Sequence, residues 1–113
     1  MREDIATSLA GHQNRNAQLV TLIREKGANL DEARVIECHF WMPSEQAAEQ
    51  IVSALVAKGF TKRRVGKAAP DRWNVEVAAN QSVTFTVSDA FTTDLIEAAA
   101  VFGGKFDGWG TTL

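Results

Sequence analysis

Cysteine and histidine are scarce in this 113-residue chain, which contains one cysteine and two histidines. Because a disulfide needs two thiols, the single Cys38 cannot form one within the chain. These side chains are also too few for a zinc site with the usual spacing of Cys and His ligands. We therefore expect no structural metal and no cofactor.

Long apolar runs and an excess of charge of one sign are also missing. No segment approaches the roughly 20 apolar residues of a membrane-spanning helix, and no basic-then-apolar N-terminal segment suggests export. A net charge of −2 gives no bulk attraction to nucleic acid or to acidic membranes, so any such binding would need a local patch. The chain is expected to be a soluble protein of a bacterial-type cytoplasm, with one domain over residues 1–113.

Apolar periodicity predicts an N-terminal helical segment over residues 1–27, closed by Gly27. A stripe with alternating spacings of four and three residues, as in a coiled-coil seam, runs along it. The stripe consists of Ile5, Leu9, His12, Asn16, Leu19 and Ile23. One helix over Arg2–Lys26 and two short helices fit this pattern about equally well.

Residues 34–113 are predicted to form a domain that mixes strands and helices. A strand over Arg34–Met42 is followed by a helix that Ser44 caps and Gly59 ends. The segments Phe60–Lys67 and Arg72–Ala79 then form a hairpin. Alternation along the first strand separates core residues from residues of the opposite face. The core set is Ile36, Cys38, Phe40 and Met42, and the opposite face carries Glu37, His39, Trp41, Asn74 and Glu76.

The stretch Ser82–Phe102 contains two conflicting patterns. Val83–Val87 alternates as a strand does, whereas apolar residues at steps of four continue as far as Gly103. We predict one long helix here, with a fifth strand as the alternative. The resulting order β-α-β-β-α-β predicts an α+β ferredoxin-like plait with an antiparallel sheet and an extra N-terminal helix. Either that helix or a partner would then have to cover Trp41.

The C-terminal residues form the most distinctive motif of the chain. Two glycines stop the preceding helix, and two more within the last strand suggest a bulge around Trp109. The motif comprises Gly103, Gly104, Phe106, Asp107, Gly108, Trp109 and Gly110. This pattern, GG-x-F-DGWG, resembles the C-terminal signature of the regulator of ribonuclease E activity B family. Phe106 stands where a tyrosine is more usual in that family, so a hydroxyl is missing there.

The resemblance covers about Ala17–Thr111 and includes several weaker matches. These are Gly27-x-x-Leu30-x-x-x-Arg34-Val35, Phe40-Trp41, Gly59-Phe60 and Trp73-x-Val75. It implies a cytoplasmic, non-enzymatic adaptor with a ferredoxin-like fold that binds the non-catalytic scaffold region of ribonuclease E and modulates RNA turnover. The basic run Lys62-Arg63-Arg64 with Lys67 departs from the acidic character of that family.

Three alternatives are weighed for that basic strand. It is a solvated edge that discourages sheet pairing, a contact for an acidic protein partner, or a weak RNA-binding hairpin over Lys62–Lys67. Alternation predicts that Lys62 and Arg64 share one face. The RNA alternative lacks the aromatic signature that stacks bases on the central strands of RNA-recognition folds.

No catalytic constellation stands out, so we expect no enzyme activity. Cys38 and His39 are neighbours in a strand and therefore point to opposite faces; Cys38 is expected in the core. A hydrolase using His39 with Glu37 or Glu76 is the least favoured hypothesis, because a flat sheet face does not exclude water. Asp107 is expected to order a turn, and Trp109 either packs in the core or forms an exposed anchor. The candidate partner-binding residues are His39, Trp41, Lys62, Arg64, Asp107 and Trp109.

Overall fold

The computed structural model describes the backbone of residues 3–112. Helices and strands alternate along the chain largely as predicted, except between the hairpin and the last strand. The elements are α1 (Glu3–Glu25), β1 (Arg34–Met42), α2 (Glu45–Val56), β2 (Thr61–Ala69), β3 (Arg72–Gln81), α3 (Val83–Thr86), α4 (Asp89–Val101) and β4 (Lys105–Thr111).

The four strands form one antiparallel sheet in the order β2-β3-β1-β4. On one face of the central strand β1 lie Ile36, Cys38, Phe40 and Met42, each at most 1% exposed, as predicted. All the helices contribute buried side chains to the same core as these residues, so they pack on this face. The fold is therefore α+β, with a helical layer on one side of the sheet.

The opposite side of the sheet is called the open face. It carries Glu37, His39 and Trp41 of β1, Asn74 and Glu76 of β3, and Arg64 of β2, as the strand register shows. The N-terminal helix does not cover it, because the buried side of α1 belongs to the core on the other face. Trp41 was expected to be covered either by the N-terminal helix or by a partner. Over the described residues 3–112, the helix does not cover it.

Helix α1 is one continuous helix of 23 residues, so the alternative of two short helices is wrong. The predicted seam faces the core: Ile5, His12, Asn16 and Ile23 are each at most 8% exposed. Its neighbours are α4 and β4. Two of the buried seam positions are therefore polar, and polar groups in such places need hydrogen-bond partners.

The prediction of one helix over Ser82–Phe102 is wrong, and so is its alternative of a fifth strand. The helix is interrupted at Ser88, whose backbone is extended with φ −62° and ψ 147°. The Ser88 hydroxyl accepts a hydrogen bond from the Phe91 amide, so it caps a new helix and ends the old one. Val83, Phe91, Leu95 and Ala99 remain buried because the apolar period continues across the break.

A bulge in β4 determines which residues of the C-terminal motif face the core. Gly108 pairs with His39 and Phe106 pairs with Phe40, which leaves Asp107 as an extra residue. Gly108 has φ +121°, a conformation that L side chains rarely adopt. The extra residue brings Phe106 and Trp109, three positions apart, onto the same face, whereas a regular strand would separate them. The predicted bulge is confirmed.

A second bulge, in β2, overturns the prediction that Lys62 and Arg64 share a face. Lys62 pairs with the core residue Val77, and Arg64 pairs with Glu76 of the open face. Arg63 is the extra residue between them, so the strict alternation on which the prediction rested is lost. Lys62 instead lies beside Glu45 and Glu49 of α2, on the helical side.

The turn from α4 into β4 yields the first testable prediction. A Cβ at Gly104 would overlap the carbonyl oxygen of Trp41 and the side chain of Met42. We expect Gly104→Ala to lower the free energy of unfolding by about 1–3 kcal/mol, because the backbone oxygen cannot move aside cheaply. Urea denaturation monitored by circular dichroism measures this change.

Gly66→Ala is the matched control, because no atom lies within 4 Å of a Cβ built at Gly66. Its unfolding free energy should stay within about 0.5 kcal/mol of the parent. Equal effects of the two substitutions would contradict the close approach at Gly104.

Candidate functional site

The C-terminal motif is fastened to α1 by hydrogen bonds, two of which are buried, and we call this group the latch. It consists of His12, Arg15 and Asn16 of α1 with Phe106, Asp107 and Trp109 of β4. Trp109 is 8% exposed, and its indole Nε1 donates a hydrogen bond of 2.8 Å to Asn16 Oδ1. Of the two expectations for Trp109, core packing is the one the structure shows. Its indole is not available as an exposed anchor.

His12 contributes both ring nitrogens to the latch. Nε2 donates to the backbone oxygen of Phe106 at 3.0 Å, and Nδ1 accepts from Arg15 Nη2 at 3.1 Å. The imidazole also stacks on the Phe106 ring with 4.6 Å between centroids. This pair of hydrogen bonds requires the neutral ring, since a protonated Nδ1 could not accept. Burial, followed by the charge of Arg15, lowers the pKa of His12 below 6.5.

Arg15 links the helix to the bulge. Its Nη1 donates to the backbone oxygen of Asp107 at 3.1 Å, next to the bond between His12 and Phe106. Since β4 is an outer strand of the sheet, α1 protects this edge against further strand pairing. The other outer strand, β2, is largely exposed. Its charged residues Lys62, Arg63 and Arg64 discourage pairing with a further strand.

Polar and aromatic side chains surround a shallow depression on the open face. It is lined by His39, Trp41, Arg64, Asn74, Glu76 and Asp107. His39 Nδ1 lies 3.5 Å from Glu76 Oε1. The guanidinium of Arg72 lies 3.7 Å above the centre of the Trp41 ring, a cation–π contact. The structure thus brings together four of the predicted partner-binding residues: His39, Trp41, Arg64 and Asp107.

Asp107 has a different role from the one expected. Within residues 3–112 its carboxylate forms no hydrogen bond to a backbone amide, and its side chain is exposed at the depression. Its backbone oxygen is instead the group that Arg15 binds. The bulge, rather than the carboxylate, orders the chain at this point.

Glycines flatten the open face on both sides of β1 and β3. Gly108 and Gly110 lie opposite His39 and Glu37, and Gly66 lies opposite Asn74. Gly66 and Gly110 have no positive φ, and a Cβ built at either position meets no atom within 4 Å. Glycine weakens a strand, and within a strand it often marks a bulge or a place where another backbone or a ligand approaches closely.

Cys38 is unsuited to covalent chemistry. It is 0% exposed, and burial raises the pKa of its thiol to about 12, so it stays protonated at neutral pH. As predicted, Cys38 lies on the core face of β1, whereas its neighbour His39 lies on the open face.

The latch residues of α1 and the Arg72 contact were not recognised as important from the sequence. A signal for the first was present, since His12 and Asn16 occupy seam positions where a helix normally buries apolar side chains. Nothing in the sequence indicates that Arg72 lies over Trp41, because that contact depends on the register between β1 and β3.

An antiparallel sheet with helices on one face and a flat, glycine-flanked face on the other defines an α+β protein with one accessible sheet face. Residues 13–111 match the family described as RraB, regulator of ribonuclease activity B, and the chain belongs to this family. The match confirms the resemblance seen in the GG-x-F-DGWG motif. No curated protein has a matching sequence. Among the helices described for residues 3–112, none is long and apolar enough to cross a membrane.

The buried imidazole of the latch predicts a pH-dependent stability. The pKa of His12 in the folded chain is lower than its ordinary value of 6.5. Above pH 6.5 the neutral imidazole contributes its full stabilisation of the fold. This contribution is lost as the pH falls from 6.5 toward the folded-state pKa, because the unfolded chain takes up the proton first. The free energy of unfolding should therefore decrease between pH 7.5 and pH 5.5, as measured by urea denaturation.

His12→Gln should reduce this pH dependence, since glutamine can donate to the Phe106 oxygen but does not titrate. Gln18→Ala is the matched control, because Gln18 is an exposed residue of the same helix that does not titrate, and it should leave the dependence unchanged. An undiminished slope in His12→Gln would contradict a neutral His12 in the latch.

Proposed function

We propose that this protein is a non-enzymatic regulator that binds ribonuclease E at its non-catalytic scaffold region and thereby modulates RNA turnover. Membership of the RraB family supports regulation of a ribonuclease. The observation that carries the binding mode is the open face, where aromatic and charged side chains lie beside glycines that the fold does not require.

The open face has the composition of a protein-binding surface. Trp41 offers a large rigid ring of the kind enriched at binding hot spots, with Arg72 already stacked upon it. Arg64 on one side and Glu37, Glu76 and Asp107 on the other provide groups of both signs for polar contacts at the rim. The proposed surface includes His39, Trp41, Arg64 and Asp107 and leaves out Lys62 and Trp109, which lie on the helical side.

The fold fits the proposal. Leaving out α1 and the short α3, the chain order is β1-α2-β2-β3-α4-β4 and the sheet order is β2-β3-β1-β4. We infer from this arrangement a ferredoxin-like plait, in which helices occupy one sheet face and the other is free for partners. A role beside ribonuclease E would place the protein in the cytoplasm.

RNA binding by the basic hairpin is the less favoured function. The bulge at Arg63 sends Lys62 and Arg64 to opposite faces, so the strand does not gather its charges on one surface. The open face also carries three carboxylates, Glu37, Glu76 and Asp107, which would repel phosphate.

Two charge reversals in the same strand test which face binds the partner. Arg64→Glu should weaken binding of the ribonuclease E scaffold region by about tenfold or more, because it changes a residue within the proposed surface. Lys62→Glu, the matched control on the opposite face, should stay within about twofold. Isothermal titration calorimetry gives both affinities, and circular dichroism confirms that each variant is folded.

Equal loss in both variants, or loss only in Lys62→Glu, would contradict the open face as the binding surface. The same variants are then titrated with single-stranded RNA at low and moderate salt. Tight binding of RNA by the parent that falls steeply with salt and is lost equally in both variants would support the RNA function instead.

The non-enzymatic part of the proposal predicts that the purified chain cleaves neither RNA nor simple phosphate and carboxylate esters. The only imidazole on the open face, His39, lies beside Glu76 in a shallow depression that does not exclude water. Turnover by the parent that disappears in His39→Ala would contradict a purely binding role.

A further inference from the structure

Three side chains on the open face converge in a way that the proposed function does not explain. Glu37 and His39 are two residues apart on β1, so they point to the same side, and Glu76 is the cross-strand partner of His39 on β3. One potential ligand atom from each of the three lies within 4.8 Å of the others. Among the side chains described, those of residues 5–112, this is the one such group of His, Cys, Asp and Glu.

The distance between His39 and Glu76 is informative. At 3.5 Å, Nδ1 and Oε1 are farther apart than in a normal N–H···O hydrogen bond of about 2.7–3.2 Å. Two ligands each bound to one tetrahedral zinc ion at about 2.0–2.2 Å lie about 3.4 Å from each other. The observed separation is longer than a direct hydrogen bond and close to that of two ligands of a shared ion.

The three side chains are held on a rigid support. Their strands are neighbours in the centre of the sheet, so the spacing of the backbone positions is fixed by the register. On the β4 side, Gly108 and Gly110 lie opposite His39 and Glu37 and place no side chain of their own beside the group. Small rotations about the side-chain torsions of Glu37, His39 and Glu76 would bring the ligand atoms, now within 4.8 Å of one another, around one ion without backbone movement.

Charge also favours a cation at this position. Two carboxylates balance the charge of a divalent ion, and Asp107 lines the same depression. Arg64 lies opposite Glu76, and Arg15 lies near His39 beside Gly108; both oppose the cation, but they are two positive charges against three negative ones. Imidazole and carboxylate together suit Zn²⁺ better than Mg²⁺ or Ca²⁺, which prefer oxygen ligands only.

We propose that Glu37, His39 and Glu76 bind one Zn²⁺ ion on the open face, with the fourth position open to water. Such a site differs from the structural Cys/His site that the composition excludes, because it is exposed and the fold does not depend on it. Three protein ligands and an open position are the arrangement of exchangeable or functional zinc sites. This inference does not depend on ribonuclease binding.

The test uses the full chain alone, freed of metal by a chelator and titrated with Zn²⁺ by calorimetry. The parent should bind one ion. His39→Ala and Glu76→Gln should each weaken Zn²⁺ binding about tenfold or more, since each removes one of only three protein ligands. Titration with Co²⁺ provides a second readout, because a four-coordinate Co²⁺ ion absorbs visible light much more strongly than the octahedral aqueous ion, and His39→Ala should abolish this increase.

Two controls distinguish the site from general surface binding. His12→Gln removes the other histidine, and Glu49→Gln removes an exposed carboxylate of α2; both should bind Zn²⁺ as the parent does. No one-to-one binding by the parent, or equal binding by the parent and His39→Ala, would overturn the proposal. Weakening of Zn²⁺ binding in Glu49→Gln as large as that in Glu76→Gln would likewise overturn it and assign the binding to scattered carboxylates.

Discussion

The bulge at Asp107 is the constraint on which the rest of the structure depends. One extra residue, with Gly108 at φ +121°, turns Phe106 and Trp109 toward the same side of the sheet. Both large side chains then need cover, and α1 supplies it with His12 stacked on Phe106 and Asn16 bound to the Trp109 indole. The seam of α1 therefore contains two polar residues among apolar ones. Asn16 accepts from the buried indole N–H of Trp109, and His12 donates to the backbone carbonyl of Phe106, because buried polar groups need hydrogen-bond partners.

Because α1 is committed to the edge of β4, the opposite side of the sheet stays accessible. The two sides therefore serve different purposes: the helical side holds the fold together, and the open face presents Trp41, His39 and Arg64. Substitutions that fall on the latch should change stability first, and those on the open face should change binding while the fold persists. This division is the physical basis for the proposal that this member of the RraB family acts through its open face.

Periodicity predicted the parts of the fold where the backbone is regular. Alternation predicted strand β1 with its buried residues and the β2–β3 hairpin. Helical spacing predicted the single seam of α1. The errors lie where one residue changes the local conformation. Ser88 caps a new helix within an unbroken apolar stripe, and Arg63 is inserted in β2 so that Lys62 and Arg64 separate. Alternation predicted that Glu37, His39 and Glu76 share one face, whereas their pairing across strands and the cation–π contact of Arg72 with Trp41 depend on the β1–β3 register.

The three tryptophans report on different parts of the molecule, and their indole N–H signals in nuclear magnetic resonance spectra test the central claim directly. Trp41 lies on the open face, Trp73 lies on the helical side beside α2, and Trp109 is bound to Asn16 in the latch. On titration with the unlabelled ribonuclease E scaffold region, the account predicts a change in the Trp41 signal while those of Trp73 and Trp109 stay in place. A shift of Trp109 or Trp73 with Trp41 unchanged would show that the partner binds the helical side, and would contradict the account.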